Sequence, residues 1–273
     1  AFSVNITNAI IRNSAVHGIN LRASNPIISN SEITNNAQFG VFTDLSLGYS
    51  VDNSVISNNG AGGIRVPLNS NAIIDSNTIE ANPVGILIDN GGSPDIINNQ
   101  IINNDVGIQV IEVGATKPVI TANTISGNTN FGAENLGSVI LDARFNFWGS
   151  SLGPTVDSNP SGTGDAITAN IEYAPWRFGA TDLPVTDVTG DINTNTTWSA
   201  GNVYRILNNI TVSASLTVEA GTIVKFASGV TMTVSGDLSS NGTSDNLVIF
   251  TSDRDDAAGG DSNGDGDATL PAP

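Results

Sequence analysis

Along the first half of the chain, apolar and polar positions recur in one phrase. An Asn is followed two residues later by Ile or Val, three further on by a second Asn, and then by Gly. The first position runs Asn8, Ser31, Asn53, Asn77, Asn99 and Asn123, and the apolar position runs Ile10, Ile33, Val55, Ile79, Ile101 and Ile125. The second Asn position runs Asn13, Asn36, Asn58, Asn82, Asn104 and Asn128. Glycine follows at Gly18, Gly40, Gly63, Gly85, Gly107 and Gly132. Each opens a short strand-like run, such as Gly-Ile-Leu-Ile at 85–88 or Gly-Ile-Gln-Val at 107–110.

The period is 22 to 25 residues. A unit of that length with three short β-segments cannot bury its apolar face alone, whereas coil stacked on coil can. The pattern therefore predicts an all-β fold, a β-solenoid of parallel coils. Leucine-rich repeats share the period, but they carry several leucines and usually a helix, and no helical periodicity is present here. Asn13, Asn36, Asn58, Asn82, Asn104 and Asn128 are expected to form a structural side-chain ladder along the stack. The recurring Gly is expected to supply positive φ at a turn. Gly48, Gly91, Gly92 and Pro94 mark the turn that absorbs length differences between coils.

The phrase fades after Ile140. An Asn-Phe-Trp-Gly-Ser segment at 146–150 follows, and later a Tyr-Ala-Pro-Trp segment at 173–176. Phe147, Trp148, Tyr173 and Trp176 supply the large apolar area that the open end of a solenoid needs as a cap. The repeats and this closing segment resemble the right-handed parallel β-helix proteins, the pectate-lyase-like group that includes many bacterial surface proteins. That resemblance implies the right-handed coil sense and a bacterial, extracellular setting.

Residues 177–197, rich in Thr, Asp, Gly and Asn with Pro184 among them, read as a linker. A second β region begins at Trp198. Its runs at 210–226, 230–234 and 247–251 alternate with strand period between Gly-containing turns. It resembles the opening coils of a further β-helix. The expected organisation is thus 1–176 as an Asn-rich β-helix, 177–197 as a linker, and 198–273 as the start of another. The order suggests either a segment of a tandem array or a unit whose 251–273 region stacks on the 1–20 region of the next copy, a head-to-tail contact that makes filaments.

Composition sharpens this. The 273 residues include 29 Gly, no Cys and one His, with 26 acidic against 9 basic residues and a net charge of −17. Such a charge repels phosphate backbones and anionic lipid, so nucleic acid is excluded as a partner, and no apolar run is long enough for membrane insertion. It suits divalent cations. Asp253, Asp255 and Asp256 precede Asp261, Asn263, Asp265, Gly266 and Asp267. The second group reproduces the front half of an EF-hand-type loop, in which alternate oxygens converge on Ca²⁺. Ala272 stands where that loop would place its bidentate glutamate, so the back half is missing. The alternative is a solvated acidic loop.

Enzymes on a β-helix need a carboxylate cluster with a cationic partner on one face. The solenoid carboxylates are scattered, although Asp52 and Asp75, one coil apart, can stack. His17 reads as a turn histidine. No catalytic residues are assigned. The expected function is a secreted, non-enzymatic structural unit of an extracellular fibre, adhesin or surface layer, stabilised by calcium. A carbohydrate-binding or polysaccharide-degrading β-helix is the alternative, with extracellular polysaccharide as partner. An aromatic row, or stacked carboxylates with Arg, on successive coils would mark it.

Overall fold

The computed structural model describes residues 5–22, 25–44, 48–68, 70–89, 91–112, 114, 116–177, 179–180, 182–244, 246–265, 269 and 271. They form two compact units, 1–176 and 177–273. No helix occurs among the described residues.

The first unit is built from three six-stranded sheets. Sheet A runs from Ile6–Thr7 to Val119–Thr121, sheet B from Ile10–Arg12 to Thr124–Ser126, and sheet C from Ile19–Leu21 to Phe131–Asn135. Every strand pairs in parallel with its equivalent one coil away. The middle residue of each short strand in A and B points inward, so single rows of Ile and Val stack through the core. Ile28, Val51, Ile74, Ile96 and Ile120 line sheet A, and Ile33, Ile56, Ile79, Ile101 and Ile125 line sheet B, almost all without solvent exposure. Sheet C contributes two inward rows, one through Val41, Ile64, Ile86, Ile108 and Ala133 and one through Val66, Ile88 and Val110. Each fully buried Ile or Val stabilises the stack by about 1.5–3 kcal/mol relative to exposure.

Two tight corners join the sheets, and each has the same two-residue solution. The first residue adopts left-handed φ: Asn8, Asn30, Asn53, Ser76, Asn98 and Ala122 between A and B, and Asn13, Asn35, Asn58, Ala81 and Asn103, with Gly127, between B and C. The second turns its side chain inward. Between B and C these residues are Asn36, Asn59, Asn82, Asn104 and Asn128, whose Nδ2 groups donate to the next Oδ1 at 3.0–3.2 Å. Each Oδ1 also accepts the preceding layer's backbone N–H, beginning with that of Ser14. The ladder therefore contains Asn36, Asn82, Asn104 and Asn128 as expected, but Asn13 and Asn58 stand one residue early. They hold the left-handed position, and Ser14 and Asn59 occupy the inward one.

The corner between A and B carries a second ladder that the single-ladder expectation omitted. It starts with the hydroxyls of Ser31 and Ser54 and continues through Asn77, Asn99, Asn123 and Asn146, with backbone-to-side-chain bonds of 2.9–3.1 Å. Asn side chains here are almost fully buried and make up to three donor bonds; Asn104 Nδ2 also reaches the carbonyls of Ile79 and Ile102.

The recurring glycines have a different cause from the expected one. Gly18, Gly40, Gly63, Gly85, Gly107 and Gly132 do not have left-handed φ. A Cβ on Gly63, Gly85 or Gly107 would lie 2.5 Å from the carbonyl oxygen of the next glycine in the stack, with a ladder Nδ2 also close by. Close approach of coils, rather than turn geometry, selects Gly.

In the second unit, sheet D comprises Val185–Val188, Val203–Ile206, Ile223–Phe226 and Ile249–Ser252. Sheet E comprises Thr196–Trp198, Ser215–Val218 and Asp237–Ser240, and sheet F comprises Ile210–Val212 and Met232–Val234. Residues 185–188 and 196–198 are thus paired strands, and Ile192 is buried in the core, so the 177–197 stretch is part of the first coil and not a linker. Its runs lack an alternating apolar signature because Val185 packs with Val203, Ile223 and Ala258 while Val188 packs with the Trp198 cluster, on opposite faces of the strand. Trp198, Ile206, Ile210, Val212, Leu216, Val218 and Val224 fill the interior.

Asn104→Ala would leave the Asn82 backbone N–H and two buried carbonyls without partners, and should lower stability by roughly 3 kcal/mol. Gly85→Ala should lower it by about 1–3 kcal/mol through overpacking. Chemical denaturation followed by circular dichroism checks both; full stability in the Asn104 variant would contradict the ladder's role.

Candidate functional site

The end of the first unit is closed by polar and apolar groups together. Asn146, the last rung of the A–B ladder, donates to the carbonyls of Ile120 and Ala143 at 2.9 and 2.7 Å. Trp148 has no exposed surface and lies in the core, with Tyr173 and Trp176 packed against the same cluster. Trp176 Nε1 donates to the Ser151 carbonyl at 3.0 Å. Phe147 lies between two buried residues on an extended segment that bridges Thr124, so alternation turns its ring away from the core. Three of the four expected cap aromatics cover the end; Phe147 does not.

The B–C ladder ends on Asp165. Its Oδ2 accepts Asn128 N–H at 2.9 Å and Asn128 Nδ2 at 2.7 Å, and its Oδ1 accepts Gly127 N–H at 2.9 Å. Burial pushes this carboxyl above its ordinary value, against the lowering effect of the Asn128 and Gly127 donors. No motif in the sequence marks Asp165 for this role.

On the outer face of sheet C, the His17 ring stacks on Phe42 at a centroid distance of 4.0 Å, and the Arg65 guanidinium lies 4.8 Å from the same ring. His17 Nδ1 accepts the Phe39 N–H, and burial followed by the nearby Arg65 charge lowers its pKa, so the imidazole is neutral at pH 7. Arg65 is itself tied to Asp89 at 2.8 Å. Phe42 comes from the coil between those of His17 and Arg65, so both of its faces are already taken, which leaves no free platform for a sugar ring. The other solenoid carboxylates are dispersed. Asp52 and Asp75 are register neighbours on sheet A as the spacing suggested, but Asp75 is bonded to Asn98 and Ser76. Asp142 is held by a bidentate Arg144, which keeps its carboxyl below the usual range.

The acidic segment of the second unit folds across the outer face of sheet D. There the row Asp187, Arg205, Lys225 and Thr251 crosses successive strands. Arg205 binds Asp187 at 2.8 Å and donates to the Ser262 carbonyl. Lys225 has no exposed surface, and its Nζ donates to the Gly260 carbonyl at 2.7 Å. Ala258 and Gly259 pack on Val203 and Ile223, and the Leu183 N–H bonds the Gly259 carbonyl.

Of the residues expected as metal ligands, Asp256, Asp261 and Asp265 each bring a carboxylate oxygen within 4.8 Å of the others. Asp255 instead accepts from Thr251 Oγ1 at 2.7 Å, and the Asp253 carbonyl receives Ser262 Oγ. Neither belongs to the group of three. Asn263 Oδ1 accepts the Asp265 N–H, shaping the loop, while Asp261 Oδ1 accepts the Gly264 N–H. Asp267 lies outside the described residues.

Asp182 lies against the same segment but outside that group of three. Asp182 is 7% exposed, and its carboxylate is wedged between the backbones of Gly179 and Gly260. Burial and the Asp261 charge push its carboxyl up, partly opposed by Arg177. Burial pulls the Lys225 ammonium down, while Asp256, Asp255, Asp182 and Asp261 oppose that shift.

Stacked parallel sheets, inward Asn ladders and a capped end define a parallel β-solenoid. The chain belongs to the right-handed beta helix family, whose model matches residues 1–147. No curated protein and no solved structure shows significant similarity to it.

Asp165→Ala should destabilise the first unit by roughly 3 kcal/mol, since it leaves three N–H donors without an acceptor. Asp165→Asn, which keeps one acceptor oxygen, should cost about half as much. Denaturant midpoints rank the two variants, and equal stability of both with the parent would remove Asp165 from the cap.

Proposed function

We propose that the protein is a non-catalytic structural element of an extracellular fibre, adhesin or surface layer, extended by head-to-tail stacking of coil ends. The reading is supported by the coil stack itself, in which every strand pairs in parallel and in register with its equivalent one coil away. A strand of that kind is a template for another parallel strand, and the group that fits it with the same register and spacing is another coil. In the second unit Val234 and Leu238 lie exposed on such strands.

The interior supports a structural role as well. Buried amides are engaged in ladders, and the carboxylates of the solenoid are dispersed or paired instead of converging on one face. Acidic charge on the outside favours solubility of long assemblies and adds no affinity for nucleic acid.

Electron microscopy and fibre diffraction of the concentrated protein should show filaments with an axial spacing of about 4.8 Å. Val234→Lys with Leu238→Lys, both at exposed strand positions, should abolish filaments while leaving the melting temperature within a few degrees of the parent. Monodisperse particles at every concentration would overturn self-assembly. Cleavage of an acidic polysaccharide by the purified protein would overturn the non-catalytic assignment.

A further inference from the structure

We propose that His17 is an acid-sensitive latch on the outer face of sheet C, which holds the aromatic cluster of Phe39 and Phe42 closed when neutral and releases it when protonated. Three rings from two coils meet here. His17 stacks on Phe42 at 4.0 Å with 12° between the planes, and the Phe39 ring lies 6.2 Å from His17 and 6.1 Å from Phe42. The Phe39 ring extends over Gly62 of the next coil, where a Cβ would stand 2.6 Å from its Cε1. Both phenylalanines are half-buried, and the imidazole supplies part of their cover.

The contact depends on the protonation of one atom. His17 Nδ1 accepts the Phe39 backbone N–H at 3.3 Å. A proton on that nitrogen turns the acceptor into a donor that faces another donor. A charged imidazole does gain from the face of an aromatic ring. Phe42, however, already carries the Arg65 guanidinium at 4.8 Å. Arg65 is fixed in place: Nε and Nη2 bind Asp89 Oδ2 at 2.9 and 2.8 Å, and Nη1 donates to the Thr43 carbonyl. Protonation therefore sets two cations on one ring, with Asp89 alone behind them.

Among the strands packed at this place, Ile19–Leu21 and Phe39–Thr43 carry no ionisable side chain and Gly62–Val66 carries Arg65. Beyond Phe42, Arg22 and Asp44 face each other at 3.8 Å in solvent. Burial, followed by the Arg65 charge, holds the folded imidazole below its ordinary value of 6.5. The folded state thus binds the proton less readily than the unfolded chain. The latch's contribution to stability is complete above about pH 6.5 and is lost as pH falls through the lower folded value.

NMR of the full chain tests the latch at a single site, because the sequence contains one histidine. The His17 imidazole should titrate with a midpoint below that of the free side chain. Through that titration the Phe39 amide should lose protection from hydrogen exchange by at least about tenfold after correction for intrinsic rates, while the Ile64 amide in the sheet keeps its own. In His17→Gln, whose side-chain oxygen accepts an N–H without titrating, Phe39 protection should be equal at about pH 7.5 and about pH 5. Circular dichroism at both pH values establishes that parent and variant are folded. Phe39 protection unchanged across the imidazole titration, an equal loss at Ile64, or the same loss in His17→Gln would overturn the proposal.

Discussion

The constraint on which the first unit depends is the satisfaction of buried backbone groups at its corners. Each coil turns twice within two residues, and at each turn an N–H and several carbonyls are carried inside, away from water. Regular strand pairing does not reach them. An inward amide does, because it offers donors and an acceptor at once and can bond its own turn, the layer before and the layer after. The same chemistry makes the ladder directional: Nδ2 of one rung meets Oδ1 of the next. Periodicity, the Gly rows and the spacing of the Ile core all follow from keeping those rungs in register.

This explains why the period was legible in the sequence while the rungs were only partly so. At each corner the left-handed position and the ladder position are adjacent, and Asn is favourable at both, since it tolerates positive φ and also satisfies buried groups. In Asn35-Asn36, Asn58-Asn59 and Asn103-Asn104 the two roles cannot be separated by residue type. They separate where the first position is filled by something else, in Ala81-Asn82, Gly127-Asn128, Ser76-Asn77 and Ala122-Asn123. Aligning the coils on those pairs places every rung at the second residue, which moves the ladder off Asn13 and Asn58. The Gly row was visible for the right positions but the wrong reason, because close approach between coils leaves no trace in one coil's sequence.

The second unit was less legible because its determinants are long-range. A strand such as Val185–Val188 places one valine on each face of a sheet whose other strands, at 203–206 and 223–226, come from later coils. Alone, the run resembles a polar connector. Lys225 likewise reads as an outward strand residue, and only the fold shows the 253–265 segment lying over it. Asp182 comes to lie against Gly260 through the path of the chain, with no motif linking the two. The EF-hand-type pattern is local to the segment, whereas which of its carboxylates come close together depends on the docking of Ala258 and Gly259 on sheet D.

A ladder of amides also needs an ending, and the ends of the chain's coils are where its chemistry becomes distinctive. Another Asn after Asn128 would accept from it but would carry two donors forward that require a further layer. A carboxylate accepts on both oxygens and donates nothing, so Asp165 takes up the N–H groups of Gly127 and Asn128 and stops the propagation. On the A–B side the same end is reached differently: Asn146 directs its donors back to the carbonyls of Ile120 and Ala143. Trp148 then fills the space where the next Ile row would stand. At this end of the first unit each amide ladder therefore meets a terminator, one a carboxylate that only accepts and the other an amide whose donors turn back on its own layer and the one before.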